Sequence, residues 1–426
     1  MNHIAKFMVS DFGGAWFRWC RLTLVALLLT TTFVTTCFAG PVGVYLALAS
    51  AIASLIFVFD SQALAAVLRD WGVRCFVLAC FMLWFAFVLS ARDVNDAMAF
   101  VDFLALPVAI PAAALLARYA GAHSVTIVAV VAGIGSAAAL ATGLFDVHIR
   151  GLDRAEGGTS SIFFSDMSAL LGFFALFGLL TVRNHARWLF VAFQAFAAGA
   201  IVLGGTRGAM LAELTFLAVF CGYALFAWDR PILERLFSVA TVLAANALFL
   251  VLFFDLSRML STFGTVGDVV TLGAATDDAA NYRLMFYHAA IQSFLESPIF
   301  GHGWWDRFSA ALPYMADNGL GAMANDSQAH LHNDVLNFAS AAGVIGVLAY
   351  LVLMAGPIIS AFRSPRSANR GLRLAAAIGL VGGYATMGLT DTMFVFEIPK
   401  SMYVLCAAVV MGMFLDAPPL PNPKPR

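Results

Sequence analysis

Charged residues are scarce in this sequence: Asp, Glu, Lys and Arg together make up 12% of its 426 residues. A soluble domain carries roughly 25%, so the composition excludes a soluble globular enzyme. A disordered chain is excluded as well, because 62% of the residues are hydrophobic. The alternating pattern of an outer-membrane barrel would break up the long apolar runs. What remains is a bundle of membrane-spanning helices.

Several motifs are missing too. The six cysteines all lie in or beside apolar runs, so we predict neither a disulfide framework nor a cysteine metal cluster. No two acidic residues stand two positions apart, which leaves out the Asp-x-Asp motif of one type of metal-dependent glycosyltransferase. The formal net charge of -1 gives no bulk attraction to nucleic acid. The internal repeats of many transporters are not evident.

Long apolar runs, in contrast, are abundant. A spanning helix needs about 20 apolar residues, and the sequence has twelve runs of roughly this kind. They lie near 22–39, 41–59, 74–91, 98–117, 123–144, 163–182, 187–205, 209–227, 236–254, 333–355, 372–390 and 398–415. We therefore predict an all-α polytopic membrane protein with about twelve transmembrane helices, and a single integral membrane domain over residues 1–426.

Lys and Arg in the connections predict the orientation, because cytoplasmic loops carry the excess of these residues. With the N-terminus in the cytoplasm, 16 of them fall on the cytoplasmic side and 8 on the other. The strongest contribution comes from Arg363, Arg366, Arg370 and Arg373. We expect both termini in the cytoplasm. The proline-rich end, 417–426, is predicted to be disordered.

One large loop, 255–332, is predicted on the side opposite the cytoplasm. An apolar stripe of helical periodicity runs through it, formed by Leu284, Tyr287, Ile291, Phe294 and Leu295. Asp277-Asp278 are cap candidates and Ser297-Pro298 ends the helix. This helix is expected to lie on the membrane surface or to cap a cavity. Trp304-Trp305 follow it and are candidates for a sugar platform.

Histidines supply candidate chemistry where this loop re-enters the membrane. His330 and His332 precede Asn333, and a histidine there suits a general base near neutral pH. The alternative is that the rings only anchor the loop. With Asp334, the pair would share one face of an extended segment and suit a metal. In a helix, however, the rings would point about 200° apart. Because an apolar helix begins just after, we expect no shared ion.

Arginines form the second group of candidates. Arg207 lies in a Gly-Gly-Thr-Arg-Gly sequence between two apolar runs, and a charge at membrane depth normally has a task. Arg283 opens the loop helix, where the dipole disfavours a cation, which suggests an anionic partner. Guanidinium geometry suits a diphosphate. The alternative is that both are interfacial anchors or ion-pair partners, with Glu213 as an internal candidate. Arg154 and Arg258 are weaker candidates of the same kind.

The ordered set of motifs resembles the O-antigen ligase/polymerase superfamily of bacteria. His332-Asn333, followed after nine residues by Gly343-Val-Ile-Gly346, resembles the H[NSQ]-x9-G-x-x-G signature of O-antigen ligases. Arg207-Gly-Ala-Met-Leu211 resembles their R-x3-L element. Asn281-Tyr-Arg283, with Ser297-Pro-Ile-Phe-Gly301-His-Gly303 after it, resembles the loop pattern of the wider superfamily.

The resemblance covers about 200–350 and implies a GT-C-like helical architecture. It also implies an inverting, metal-independent transfer of O-antigen polysaccharide from undecaprenyl diphosphate to a sugar hydroxyl of lipid A–core. The reaction would take place on the periplasmic face of the inner membrane without a cofactor. By matching position, His332 would be the catalytic base, and Arg207 and Arg283 would hold the diphosphate. Supporting roles would fall to His330, Asn333, Arg154 and Arg258.

Three other functions compete with this interpretation. An O-antigen polymerase uses the same donor with a second lipid-linked glycan as acceptor, and a protein O-oligosaccharyltransferase glycosylates serine or threonine. Both belong to the same superfamily, and sequence separates them poorly from a ligase. A lipid-linked sugar transporter is the alternative from another class. It would distribute charged residues through the spans, whereas here the ionisable residues cluster on one face.

Overall fold

The computed structural model describes residues 11–58, 65, 67–91, 93–253, 278–315, 330–363 and 369–414. No strand occurs among these residues. The longer helices are α1 (Asp11–Phe33), α2 (Pro41–Ala53), α3 (Trp71–Ser90), α4 (Ala109–Ala117), α5 (Ser124–Leu144), α6 (Ser161–Thr181), α7 (Leu189–Gly204), α8 (Arg207–Phe226), α9 (Ile232–Phe253), α10 (Asp278–Glu296), α11 (Asp334–Arg363), α12 (Arg370–Thr390) and α13 (Glu397–Gly412). Shorter helical segments are Thr35–Cys37, Leu55–Val58, Val94–Ala97, Met98–Phe103, Leu106–Val108, Phe145–Ile149, His185–Trp188 and Leu312–Tyr314. The predicted tail, 417–426, lies outside the described residues.

Each of the twelve predicted apolar runs coincides with helical structure, which confirms an all-α polytopic membrane protein. Ten of the described helices are long and apolar enough to cross a membrane. Helices α2 and α13 are shorter, with 13 and 16 residues. At 1.5 Å per residue they reach about 20 and 24 Å, less than the ~30 Å hydrocarbon core. Helices form here because a backbone in lipid must satisfy its own hydrogen bonds.

Helices α6 and α13 form the centre of the bundle. In α6, 89% of the most apolar window is buried, and every residue of α13 from Pro399 to Gly412 is buried. Phe173 of α6 stacks on Phe216 of α8 with ring centroids 4.8 Å apart. A helix that is apolar on all sides belongs inside a bundle. The connection between α12 and α13, residues 391–396, is thereby fixed against the bundle centre.

A polar contact joins three helices within the bundle. Glu213 of α8 accepts a hydrogen bond from Gln194 of α7, and Gln194 also donates to Asn246 of α9 at 3.0 Å. The sequence offered Glu213 as an internal partner for Arg207, but one of its carboxylate oxygens is engaged by Gln194. Interhelical polar contacts of this kind contribute on the order of 0.6 kcal/mol each. The contact therefore helps to hold α9 to the bundle.

Arg373 of α12 binds several groups at the end of the bundle where α11 ends, and it is only 1% exposed. Its guanidinium donates to the carbonyls of Val410 (2.9 Å) and Met411 (3.1 Å), and to the hydroxyl of Ser360 (2.6 Å). A carboxylate oxygen of Asp70 lies 3.7 Å away and accepts from the same hydroxyl. Arg373 therefore caps the last turn of α13 and neutralises Asp70.

Arg373→Ala is expected to lower the free energy of unfolding by about 3 kcal/mol, the low end of the cost of removing one partner of a buried ion pair, because Arg373 is 1% exposed but Asp70 is 22% exposed. The change leaves Asp70 charged without its partner. The measurement is the midpoint of thermal unfolding of the purified protein in detergent. Arg370→Ala is the matched control, because its partly exposed side chain lies over the Phe362 ring. Equal midpoints for the two variants would contradict the prediction.

Helix α10 confirms the helix predicted in the loop, but the predicted stripe is not the face that packs on the bundle. The buried residues of α10 are Met285, Phe286, Ala289, Ala290 and Ser293. In the stripe, Ile291 is 46% exposed and Leu295 is 61% exposed. At 100° per residue, the two sets lie on opposite sides of the helix. The exposed apolar side fits a helix that lies on a membrane surface.

Helix α11 is interrupted at Gly343, which has a φ of 60°. A Cβ at this position would lie 2.3 Å from the backbone of the loop that follows α10. Next to the interruption, the carbonyls of Ser340 and Ala341 accept hydrogen bonds from the N–H groups of His302 (2.9 Å) and Gly303 (3.0 Å). The close backbone contact between the loop after α10 and the middle of α11 thus explains the glycines at 301 and 343. It also fixes the loop on the first part of α11.

Candidate active site

The two candidate histidines lie just before α11, in a segment that side-chain amides hold in place. Asn333 caps α11, since its Oδ1 accepts the N–H of Leu336 at 3.1 Å. Asn337 accepts the N–H of Leu331 at 3.2 Å and donates to the carbonyl of Asn333 at 2.8 Å. His332 has a φ of 51°, a left-handed conformation that is uncommon for a residue other than glycine. Such a conformation persists where the surrounding contacts determine it.

Both imidazole rings face the carboxylate of Asp391, which directly follows α12. Its Oδ1 lies 3.3 Å from Nδ1 of His332 and 4.0 Å from Nδ1 of His330. The two ring centroids are 4.1 Å apart, and Phe286 of α10 stacks on His332 at 5.5 Å. The rings do not diverge as they would in a helix, because α11 begins only at Asp334 and both histidines precede it.

The charges of this group follow from its burial. Burial alone would raise the pKa of Asp391, but the contact with His332, the charge of both histidines and the N–H of Thr392 hold that pKa below its ordinary value. The pKa of His330 is lowered to about 4, chiefly by burial and then by the charges of His332 and Arg307, against the opposing charge of Asp391. Near neutral pH the site therefore holds an ionised Asp391 and a neutral His330.

Asp334, the first residue of α11, fixes the segment that carries Asp391. Its Oδ1 accepts the N–H groups of Met393 (2.9 Å) and Phe394 (3.1 Å). Gly388 of α12 approaches the same carboxylate so closely that a Cβ would lie 2.4 Å from Oδ2. The start of α11 and the connection after α12 are thereby joined. This junction is what brings Asp391 to the histidines.

Arg307 supports the histidine segment from the loop and is 3% exposed. Its Nε donates to Oδ1 of Asn337 at 3.2 Å, and its guanidinium lies 4.2 Å from the centroid of the Trp304 ring. Burial lowers the pKa of Arg307 to about 10, so the side chain is still charged near neutral pH. The Trp304 indole donates to Asp102 at 3.0 Å and is 1% exposed. Trp304 is therefore not a sugar platform, whereas Trp305 is 53% exposed.

Arg283 approaches the site along α10. The hydroxyl of Tyr287, one turn later, lies 3.1 Å from the carbonyl oxygen of His332 and 2.6 Å from that of Leu389. Burial raises the pKa of Tyr287, and the positive charge of Arg283 acts in the opposite direction, so the guanidinium is close to this hydroxyl. Among the described residues, the buried Nε of Arg283 has no hydrogen-bond partner. A buried donor of this kind is costly unless a ligand accepts its proton.

Arg207 is the first residue of α8, and the next residue, Gly208, lies close to the segment that carries Asp391. Gly208 packs against Thr390, the last residue of α12, so that a Cβ would lie 2.5 Å from the threonine Oγ1. Thr390 directly precedes Asp391 in the chain. Gly205, with a φ of 63°, ends α7 and turns the chain into α8. A helix N-terminus that begins with a guanidinium favours an anion.

Of the two weaker arginine candidates, Arg154 lies within the described residues and Arg258 does not. Arg154 is exposed, and the next residue, Ala155, donates its N–H to the carbonyl of Leu203 at 3.0 Å. This bond holds the loop of Arg154 against the last turn of α7, close to the start of α8. Arg258 lies outside the described residues, and its role stays a prediction.

Neither Asp391 nor Asn337 was predicted from the sequence, and Asp334 was considered only as a possible metal ligand, although Asp334 and Asn337 hold the segments around the site. No local motif marks Asp391, because its partner His332 belongs to another part of the chain. One signal was available. Alternation of the predicted spans places Asp391 on the same side as the large loop, and an ionisable residue beside a span suggests a partner there.

His330, His332 and Asp391 also form a group that fits a metal ion. One possible ligand atom of each lies within 4.8 Å of the others. Imidazole nitrogens with a carboxylate oxygen are common ligands of zinc and iron. The expectation that no metal takes part in the reaction therefore stays a prediction, which a chelator tests.

Fold and site together define a multi-pass membrane protein with a cluster of ionisable residues at one end of its helix bundle. Residues 192–351 match the family model described as O-antigen ligase, so this part of the chain is similar to the O-antigen ligase superfamily. This similarity points to a glycosyl-transferring enzyme that uses a lipid-linked polysaccharide and a lipid acceptor. No curated protein matches the chain. The family match includes Arg207, Arg283 and His332 but ends before Asp391.

Proposed function

We propose that this protein is an O-antigen ligase of lipopolysaccharide biosynthesis. It transfers O-antigen polysaccharide from undecaprenyl diphosphate to a sugar hydroxyl of lipid A–core. The reaction takes place on the periplasmic face of the bacterial inner membrane, and both termini of the protein are cytoplasmic. The observation that carries the proposal is the approach of His332 to Asp391, 3.3 Å, in a chain whose residues 192–351 match the O-antigen ligase family.

In the proposed mechanism, His332 is the general base. Its Nδ1 faces Asp391, and a proton on this nitrogen leaves the lone pair of Nε2 for the substrate. Nε2 takes the proton of the acceptor hydroxyl as the oxygen attacks the anomeric carbon. The bond from that carbon to the diphosphate oxygen breaks, and undecaprenyl diphosphate leaves with the electron pair. Attack from the opposite side inverts the configuration at the anomeric carbon.

In this reaction positive charge develops on His332 and negative charge on the leaving diphosphate. The site has a group of opposite charge for each. The ionised Asp391 stabilises the imidazolium that forms at His332. Arg207 and Arg283 hold the diphosphate and stabilise the negative charge that develops on it as it leaves. The diphosphate is already a good leaving group, so the protein must mainly position two substrates. Positioning supplies on the order of 7–11 kcal/mol in favourable cases.

The remaining candidates have supporting roles in this proposal. His330 is neutral near neutral pH, since its pKa is about 4, and it offers the acceptor sugar a hydrogen-bond partner rather than a charge. Asn333 holds the histidine segment to α11. Arg154 and Arg258 add positive charge for the donor diphosphate. No metal takes part, although three possible ligands are present.

The test is transfer by the purified full-length protein, reconstituted with an undecaprenyl-diphosphate-linked glycan and lipid A–core, with and without EDTA. Glycan on lipid A–core in both conditions supports a metal-independent ligase. Loss of transfer in EDTA, restored by Zn²⁺, would replace the base mechanism with a metal mechanism. A ladder of longer lipid-linked glycan with untouched lipid A–core would mean a polymerase. Glycan on an added pilin-like protein would mean an oligosaccharyltransferase, and no transfer with substrates that a known ligase accepts would favour a transporter.

Arg283→Gln is expected to reduce kcat by about 10²–10³-fold, because it removes a donor that acts on charge formed in the transition state. Arg283→Lys should recover part of the loss, since it restores the charge but not the bidentate geometry. The measurement is the initial rate of transfer at saturating donor. Arg150→Gln is the matched control: Arg150 pairs with Asp146 at 2.8 Å and is 47% exposed. Equal rates for Arg283→Gln and the control would remove Arg283 from the site.

A further inference from the structure

Two guanidinium groups lie against one indole ring at the end of the bundle farthest from the histidines. Trp71 is the first residue of α3, and the Cζ atoms of Arg74 and Arg363 lie 4.9 Å and 4.2 Å from its ring centroid. All three side chains are exposed. Arg363 is the last residue of α11, whose first residue adjoins the histidine pair. This group of Trp71, Arg74 and Arg363 is called the Trp71 cluster below.

The Trp71 cluster carries two positive charges that repel each other across a single ring. Among the described residues, neither arginine pairs with a carboxylate within 4.0 Å. The nearest acid on the chain, Asp70, is engaged elsewhere: it accepts from Ser360 at 2.7 Å and caps α3 through the N–H of Gly72 at 2.8 Å. An anion held between the two guanidinium groups would relieve the repulsion, and phosphate matches their geometry.

An apolar groove of about 440 Å³ begins at the same place. Its lining consists of Leu68, Val73, Arg74, Val77, Leu78 and Phe81. Val77 and Leu78 are each 49% exposed and Phe81 is 56% exposed. Because α3 is long and apolar enough to span a membrane, we expect this surface to meet acyl chains and not water. Arg74 is the one charged residue of the lining and belongs to the Trp71 cluster, so the groove starts beside the two cations.

A second apolar groove, of about 330 Å³, continues along α3. It shares Phe81 with the first and extends to Trp84 and Leu104. The two grooves together follow α3 from its first turn toward its other end. A trough of this length with cations only at its mouth matches a molecule with an anionic head and a long apolar tail. Inorganic phosphate would satisfy the cations alone and leave the groove without an occupant.

We propose that the Trp71 cluster binds the phosphate of an anionic phospholipid whose acyl chain lies in the groove along α3. The excess of arginine at this end of the bundle places the lipid in the cytoplasmic leaflet. Tryptophan is enriched at membrane interfaces, where its ring sits at the level of the headgroups. The site is separate from the proposed transferase centre, so its test does not depend on that function.

The test measures quenching of tryptophan fluorescence by phospholipids with brominated acyl chains, in the purified full-length protein in mixed micelles. Brominated phosphatidylglycerol is expected to quench at about tenfold lower mole fraction than brominated phosphatidylcholine. The Trp71→Phe variant should lose this component of the quenching, which identifies the ring that reports it. The double variant Arg74→Gln/Arg363→Gln should quench equally with the two lipids.

Arg187→Gln is the matched control for the arginine variants. Arg187 also lies over an indole, that of Trp188 at 4.8 Å, but it is paired with Glu234. This variant should keep the preference for phosphatidylglycerol. Equal quenching of the unaltered protein by the two lipids would overturn the proposal. Complete release of the phosphatidylglycerol signal by millimolar inorganic phosphate would also overturn it, because the site would then bind phosphate without a lipid.

Discussion

His332→Ala is expected to slow glycan transfer by about 10²–10⁴-fold, the range that a positioned general base contributes. The variant removes the ring that lies 3.3 Å from Asp391 and leaves no other group to take the proton of the acceptor hydroxyl in the proposed mechanism. Donor binding should change little, because the proposed diphosphate contacts come from other residues. The measurement is the initial rate of transfer in proteoliposomes, together with binding of the donor lipid.

Two further variants make this expectation specific. His288→Ala is the matched control, since His288 is exposed on α10 and should leave the rate unchanged. His332→Gly should regain part of its activity when imidazole is added, because a small base can then occupy the space of the lost ring. A rate for His332→Ala equal to that of the control would show that the ring only anchors the loop, the alternative that the sequence left open.

The positions of the apolar helices could be predicted because apolar length has a direct physical meaning in a membrane, although ten of the described helices, and not about twelve, are long and apolar enough to span it. A run of about 20 apolar residues has few options other than a helix, so each of the twelve runs was found. The packing face of α10 could not be found in the same way. Apolar residues occupy both sides of this helix, with Met285 and Phe286 on one side and Ile291 and Leu295 on the other. Periodicity reports that a stripe exists, and tertiary contacts decide which stripe is buried.

The candidate site likewise contains some residues that the sequence indicates and others that only the structure reveals. His332, Arg207 and Arg283 could be proposed from the sequence because each is unusual where it stands. Asp391 was not found, because its importance comes from a contact between segments that are far apart along the chain. Gly343 was noticed only through a resemblance. Its physical reason, a φ of 60° and a backbone contact that admits no Cβ, requires coordinates.

Asp391→Asn is expected to reduce kcat/KM by about 10²-fold or more, although the new side chain has nearly the same shape. The carboxylate holds one tautomer of His332 and stabilises the imidazolium, and the amide does neither. Asp153→Asn is the matched control, because Asp153 is exposed in a loop that the alternation of spans places on the same side. A rate within twofold of that of the control would mean that His332 works without Asp391.

The pH profile of the same variant separates a loss of charge from a loss of structure. The pKa of Asp391 lies below its ordinary value, so the carboxylate is ionised throughout pH 5–9 and its charge acts on the neighbouring ring of His332. Removing this charge should lower the plateau of log kcat/KM and shift its acidic limb, because the carboxylate no longer interacts with the base. His330, with a pKa of about 4, titrates below this range and leaves the limb unaffected. A variant that is merely misfolded would have a lower kcat/KM at every pH, and the acidic limb of its profile would stay at the same pH. A limb that does not move, in a variant that unfolds at the same temperature as the unaltered protein, would therefore contradict the assignment of Asp391 as the residue that positions the base.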